Sequence, residues 1–231
     1  MNNLYKKLVK NKMSLIASLP ENSYDLAKIA WESGVDAIKV HCNVFHNASQ
    51  NNFGTFQEFS EEFAKIIADS PVPVGIVAGG SAEDAESIQS QLAGLGFDFM
   101  SLYAHHTPSS FYNGVELNNF LSVNSSYSYQ EIKELVDNGY ADILELSIID
   151  KEEYGTRLNA RDLSKYRTIA DFSRVPCVVP SQRLIKPEDV RVLSETGIKA
   201  IMLGAIVLGK TEEQFKATLK AFRKEIDKLW K

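Results

Sequence analysis

The chain has 231 residues, 44% of them hydrophobic and 24% charged, and a net charge of −5. That length supports one large domain with a real core, and the composition is that of an ordinary soluble globular protein. The acidic balance, with no basic run longer than Lys6–Lys7, argues against a nucleic-acid partner, whose phosphate backbone demands clustered Lys and Arg.

The opening MNNLYKKLVKNK lacks the apolar core of a signal peptide, and the longest apolar run, 200–208, is too short to span a bilayer. A cytoplasmic protein with no membrane partner is therefore expected. Cys42 and Cys177 lie far apart with no C-x-x-C, a pattern of reduced core thiols rather than of a disulfide or a thiolate zinc site.

In chain order, the predicted elements repeat one unit. Residues 2–10 (NNLYKKLVK) read as a short helix with Leu4, Leu8 and Val9 on one side, and the first strand lies in MSLIASLP (13–20). Four later stretches echo one another: SGVDAIKVH (33–41), LGFDFMSLY (95–103), NGYADILELS (138–147) and TGIKAIMLG (196–204). Each has a glycine where a helix must end, because only glycine enters the left-handed C-cap region without a Cβ penalty. A nearly continuous apolar strand follows, as suits a parallel sheet covered on both faces. Helical periodicity precedes each, at Leu26, Ile29 and Ala30, at Ile88, Leu92 and Leu95, at Ile132, Leu135 and Val136, and at Val190, Val192 and Leu193. PVPVGIVAGG (71–80) and VPCVVPSQR (175–183) enter their strands through proline, and NNFLSVNSS (118–126) completes a set of eight.

Strand starts fall near 14, 37, 73, 98, 120, 142, 176 and 199, with a helix fitting each interval and one after the last. Eight βα units of this regularity predict an α/β fold, a single TIM-barrel domain over 1–231, with the extra N-terminal helix covering its bottom. An open doubly wound sheet is the alternative. The longest strand-to-helix loops follow the second (43–55), fourth (104–117) and sixth (148–160) strands, and Asn, Ser, Gly and His crowd them. The active face of such a barrel is built from these loops, so they are candidate lids.

Alternation along the strands sorts the interior. Aligning the four echoing units on Asp36, Asp98, Asp142 and Lys199 puts Ile38, Met100, Leu144 and Ile201 against the helices. Lys39, Ser101, Glu145 and Met202 then share one inward level, and His41, Tyr103, Ser147 and Gly204 the next, with Asn43 and His105 above. Lys39 and Glu145 come from opposite strands, and either charge alone would pay a large desolvation penalty, so the two are expected to pair. The pair is either a structural ion pair or a proton acceptor, Glu145, with Lys39 as acid partner or electrostatic stabiliser. A Schiff base at Lys39 needs an uncharged amine, which Glu145 opposes. His41 and His105 join them as candidate catalytic residues. Asn43, Tyr103, Asn124 and Ser147 are candidate substrate contacts.

All four histidines, His41, His46, His105 and His106, lie at or beyond the ends of the second and fourth strands. A divalent metal on His41 and His105 with Glu145 or Asn43 is an alternative, although no H-x-x-x-H or H-x-H spacing supports it. No cofactor is expected, with a metal or FMN left open.

GAIVLGKT (204–211) fits the P-loop pattern, but its middle is apolar and only 20 residues follow Thr211, too few for the further strands a P-loop domain needs. A different origin for Gly204 lies in VVPSQRLIKPEDVRVLSETGIKAIMLGAIVLGKTEEQFKATLKAF (178–222), which resembles the last two βα units of the ribulose-phosphate-binding barrels, particularly the N-acetylmannosamine-6-phosphate 2-epimerase and indole-3-glycerol-phosphate synthase families. The resemblance implies a substrate phosphate held by main-chain amides, with Ser181, Gln182 and Arg183 in the turn after strand seven and Gly204 and Ala205 at the end of strand eight. The chain departs from the pattern at Ala78 and Ser181, where the epimerase families carry a catalytic lysine and glutamate, and the synthase lysine is missing from VGIVAGG (74–80).

The expected function is that of an isomerase, epimerase or lyase of carbohydrate metabolism, acting on a small phosphorylated sugar-like metabolite. A phosphometabolite-binding barrel without catalysis is the alternative, and a homodimer is left open.

Overall fold

The computed structural model describes residues 4–113 and 117–230. Eight parallel strands close into a barrel: β1 (Ser14–Ser18), β2 (Ala37–His41), β5 (Val74–Val77), β6 (Phe99–Tyr103), β7 (Asn118–Asn124), β8 (Ile143–Ser147), β9 (Cys177–Pro180) and β10 (Ala200–Leu203), with β10 returning to β1. Their starts differ from the expected positions by at most two residues. Between β2 and β5 lies an antiparallel hairpin, β3 (Val44–His46) and β4 (Asn51–Phe53), where the sequence reading places only a loop.

The helices are α1 (Leu4–Lys10), α2 (Tyr24–Glu32), α3 (Phe56–Asp69), α4 (Ala82–Leu95), α5 (Tyr129–Asp137), α6 (Ala160–Phe172), α7 (Val190–Glu195), α8 (Ala205–Leu208) and α9 (Glu212–Lys228). Thr55 with Glu58, Ser128 with Glu131 and Asn159 with Asp162 open α3, α5 and α6 as capping boxes, satisfying amide donors that no helical carbonyl reaches. The glycines of the four echoing units, Gly34, Gly96, Gly139 and Gly197, all adopt positive φ, as their place after a helix requires.

The echoed aspartates have a structural purpose at the barrel's bottom. Asp36 Oδ2 accepts the amide of Leu15 at 2.8 Å, and Asp142 Oδ2 that of Asn119 at 2.8 Å, each across to the preceding strand. Asp98 Oδ1 accepts the Leu4 amide at 2.8 Å and anchors α1 under the barrel. Leu4 and Leu8 plug the interior together with Ile16, Phe99, Phe120 and Ile143, while Val9, expected on the same side, is 55% exposed. Seven residues make two turns, too narrow a stripe to bury all three. Ile38, Met100, Leu144 and Ile201 face the helices as their phase predicts. Gly75 makes room for an interior ring: a Cβ there would lie 2.1 Å from Phe99.

The P-loop geometry does not form. Residues 205–208 coil into α8, Leu208 is buried, and the Thr211 hydroxyl caps α9 by accepting the Gln214 amide at 3.3 Å.

Candidate active site

Over the carboxyl ends of the strands opens a cavity of about 780 Å³. Its floor is the ion pair expected from opposite strands: Lys39 Nζ lies 3.0 Å from Glu145 Oε2, and both residues are 5% exposed. The serines around the pair complete the carboxylate's shell, with Ser101 donating to Oε2 at 3.1 Å and Ser147 to Oε1 at 2.9 Å. Burial opposes ionisation of Glu145, but the Lys39 charge and the hydrogen bonds from Lys39, Ser147 and Ser101 outweigh it and hold the pKa below the usual carboxylate value. The site is thus preset with an ionised, desolvated carboxylate beside an ammonium.

His41 ends β2 and is fully buried; Asn22 clasps its backbone, donating to its carbonyl at 2.7 Å and accepting its amide at 3.1 Å. Its ring stacks on Phe53 (4.6 Å, 26°) and touches His46 (4.8 Å), so the hairpin supplies the lid of this corner. Burial first, then His46 and Lys39, pushes its pKa well below the usual histidine value, and the ring is neutral. Nε2 lies 3.3 Å from Ser18 Oγ, whereas Nδ1 has no partner. A buried donor left unpaired is rarer than a buried unpaired acceptor, which assigns the proton to Nε2 and makes Ser18 the acceptor. The Ser18 hydroxyl proton is then free to be donated into the cavity.

Ser18 is a cavity-lining donor that the sequence reading passes over. It stands two residues beyond the inward-facing Ile16, so strand alternation could have found it, but strand one has no echo of the aligned units.

The expected phosphate corner is brought together only in part. Ser181, Gln182 and Gly204 line the cavity; Ala205 and Arg183 do not. Arg183 is 2% exposed and faces away, its Nε and Nη2 bound to Asp162 Oδ2 and Oδ1 at 2.8 and 3.0 Å, with Glu153 at 3.1 Å. It also donates to the Thr156 hydroxyl, pinning the loop after β8 to α6, so its expected role as an anion ligand is replaced by a structural one. The Gln182 side chain is committed too, accepting the Ile149 amide at 3.1 Å and donating to Tyr154 Oη at 2.6 Å. The corner also holds a pair of hydroxyls: Ser181 Oγ accepts the Gly204 amide at 2.8 Å, and its proton, like that of Ser18, is free to be donated.

Gly204 is not demanded by crowding or by strain. Its backbone is extended (φ −131°, ψ −165°), and an added Cβ would meet nothing closer than 3.8 Å. The room it leaves is room on the cavity wall.

Of the remaining expected contacts, Tyr103, Asn124 and Ser147 line the cavity, and Asn43 does not. Asn43 sits at φ +51° in the turn into the hairpin, its amide bonded to the Gly54 carbonyl and its own carbonyl to the Gly80 amide. His105 is an exposed rim residue whose Nδ1 lies 2.7 Å from Tyr127 Oη, away from the Lys39–Glu145 floor. His46 is half-buried, with its pKa lowered to about 4 chiefly by burial. Among the described residues no three His, Cys, Asp or Glu side chains gather to hold a metal ion, so the metal alternative on His41, His105 and Glu145 or Asn43 has no donor set. Among them, too, no helix is long and apolar enough to cross a membrane.

Fold and cavity together define a class: a closed (β/α)8 barrel with a polar, charge-balanced floor beneath the strand-to-helix loops. Within that class the chain is similar in fold to thiamine phosphate pyrophosphorylase from Pyrococcus furiosus, at 17% identity over 96% of this chain and 100% of that one, with a TM-score of 0.66. It is also similar to KGPDC from Streptococcus mutans, solved as a complex, at 14% identity over 95% and 100% of the two chains and a TM-score of 0.64. A mutant tryptophan synthase alpha-subunit from Pyrococcus furiosus matches at 16% identity over 93% and 98%, with a TM-score of 0.68. No family model and no curated protein matches the sequence. At these identities the likeness is one of fold alone, and it covers the whole barrel.

Proposed function

We propose that this barrel is an isomerase, epimerase or lyase acting on a small phosphorylated, sugar-like metabolite. The observation that carries the reading is the desolvated Lys39–Glu145 pair in the cavity that Ser18, Ser181 and Gly204 also line. The ligand's phosphate accepts from Ser18 and Ser181 and rests against Gly204. Its carbonyl end reaches the floor, where Glu145 removes a proton from the adjacent carbon and the Lys39 ammonium donates to the oxygen that gains charge. Returning the proton to the neighbouring carbon gives an isomer, and expelling a leaving group instead gives a lyase; an epimer requires a second donor to deliver a proton to the opposite face of the same carbon. The chemistry so written draws on neither a metal nor a flavin.

The phosphate resemblance supports this reading, as does the word "phosphate" in the name of a solved barrel of this fold, thiamine phosphate pyrophosphorylase. One observation favours a second reading, a barrel that binds such a ligand without converting it. Both oxygens of Glu145 already accept hydrogen bonds, and its lowered pKa makes it a weaker base.

The test is an assay of sugar phosphates with the native chain and the Glu145→Gln and Lys39→Met variants. Turnover should fall by about 10²-fold or more in each, the usual size of a lost acid–base group, while binding persists. Undiminished turnover in both variants removes the proposed roles. A sugar phosphate that binds the native chain and is recovered unchanged after long incubation establishes the second reading.

A further inference from the structure

A second cavity lies on the outer wall of the barrel, at the end away from the strand-to-helix loops. It encloses about 380 Å³ between the end of α2 and the second half of α9, and Ser33, Lys220, Arg223, Lys224, Asp227 and Lys228 line it. Four cations thus face one carboxylate, in a chain whose net charge is −5. The acids nearby are spent on two of those cations. Arg223 is held by Asp36 at 3.1 Å and Asp227 at 2.8 Å, and Lys228 by Glu225 at 2.6 Å. Among the described residues Lys220 and Lys224 form no ion pair.

Lys216, Lys220, Lys224 and Lys228 recur every fourth residue along one face of α9, about 6 Å apart along its axis. Like charges at that spacing repel and weaken a helix. Beside them Ser33, at the end of α2, is 4% exposed, and its hydroxyl is buried without a hydrogen-bond partner. Such a group costs free energy until an acceptor meets it. The wall next to Ser33 is fixed: Gly34 turns at φ +88°, and a Cβ there would lie 3.1 Å from Arg223 Cγ and Cδ, so glycine lets the arginine stem lie across the turn.

An isolated anion answers one lysine; a row of them one helical turn apart, with an unspent hydroxyl alongside, matches several negative charges in line. We propose that this groove binds a small ligand carrying a chain of phosphates, at a site separate from the cavity over the strand ends. Lys220 and Lys224 pair with successive phosphoryl groups, and the Ser33 hydroxyl donates to one of their oxygens. The groove's volume is in the lower part of the range for small-molecule sites. This inference does not depend on the phosphate reading of the barrel mouth.

Calorimetric titration at low salt tests it, with inorganic tripolyphosphate as the probe and inorganic phosphate as its single-group control. Tripolyphosphate should bind about tenfold tighter or more, because it engages both lysines. Lys220→Ala/Lys224→Ala should remove that gain, and Ser33→Ala should weaken binding about tenfold, the worth of one hydrogen bond to a charged group. Affinity should be unchanged in Ser18→Ala/Ser181→Ala, at the other end of the barrel, and in Lys10→Ala/Lys65→Ala, which removes equal charge from exposed positions on α1 and α3. Absence of binding, a loss confined to the Ser18/Ser181 variant, or an equal loss in the Lys10/Lys65 variant overturns the site. So does an unchanged affinity in Ser33→Ala, which reduces the groove to charge alone. A single-stranded oligonucleotide that binds the groove more tightly than tripolyphosphate overturns it in favour of a nucleic-acid strand.

Discussion

The hydroxyl of Ser181 accepts the Gly204 amide at 2.8 Å, stitching the end of β9 to the end of β10 at the cavity wall. Because that amide is already used, the proposed phosphate would meet Gly204 through the space above it rather than through its N–H. Alanine at 204 should therefore fold as well as glycine or slightly better, since the extended backbone accepts it, a Cβ meets nothing within 3.8 Å, and an added side chain reduces unfolded-state freedom by about 0.4–1 kcal/mol. Sugar phosphate affinity should nonetheless fall at least tenfold. An unchanged affinity, measured by calorimetry beside an unchanged melting temperature, would remove the anion from this wall.

The two serines should behave differently from a cationic anion site. Lys39 is balanced by Glu145, and Arg183 by Asp162 and Glu153, so neither supplies net charge to the wall. Ser18→Ala and Ser181→Ala should each weaken phosphate binding about tenfold, the worth of one hydrogen bond to a charged group. Raising salt from low to physiological levels should change affinity little. A steep salt dependence would point to cations elsewhere on the rim.

Arg183 illustrates a buried charge whose loss is felt in folding. Removing it by Arg183→Leu strands Asp162, whose side chain is 2% exposed, and should cost about 3–5 kcal/mol in stability. Replacing Asp162 by Leu as well should restore much of that loss. If chemical denaturation finds Arg183→Leu as stable as the native chain, the pinning role is wrong.

Three titrations should shape stability in acid, with related signs: those of Glu145, of His46 and of His41. The His41 pKa, pushed well below the ordinary value chiefly by burial, adds a decline that begins near pH 6.5 and continues below that of His46. Glu145 has its folded pKa below its unfolded one, so its contribution is present above the ordinary value of about 4.3 and is lost as pH falls through the lowered value. For His46, neutral in the folded chain until about pH 4, the unfolded state binds the extra proton from about pH 6.5 downward. Stability is therefore full above about 6.5 and declines between 6.5 and 4. Replacing His46 by Phe should make the upper part of that decline shallower, leaving the share of His41, and Glu145→Gln should do the same below about 4.3. The ring of His46 should titrate near pH 4 by NMR; titration near 6.5 would show a hairpin more open to water than the packing on His41 and Phe53 implies.

The sequence by itself determined the barrel, its strand starts, the inward phase of Lys39, Glu145, His41 and Tyr103, and the pairing of the first two. These follow from alternation and from glycine punctuation, which act over a few residues and repeat from unit to unit, and from the penalty on any lone charge in such an interior. Tertiary structure alone decided which donors are spent and which are free. Arg183 and Gln182 read as anion ligands because their letters sit in the right turn, yet Asp162 lies 21 positions before Arg183 and Ile149 33 positions before Gln182, and those partners claim them. Ser18 gains its free proton only because His41, 23 residues later, is sealed by a hairpin and left with an unpartnered Nδ1. Periodicity is a local property of the chain; the allocation of each hydrogen bond among distant competitors depends on closure of the barrel, which brings them within reach.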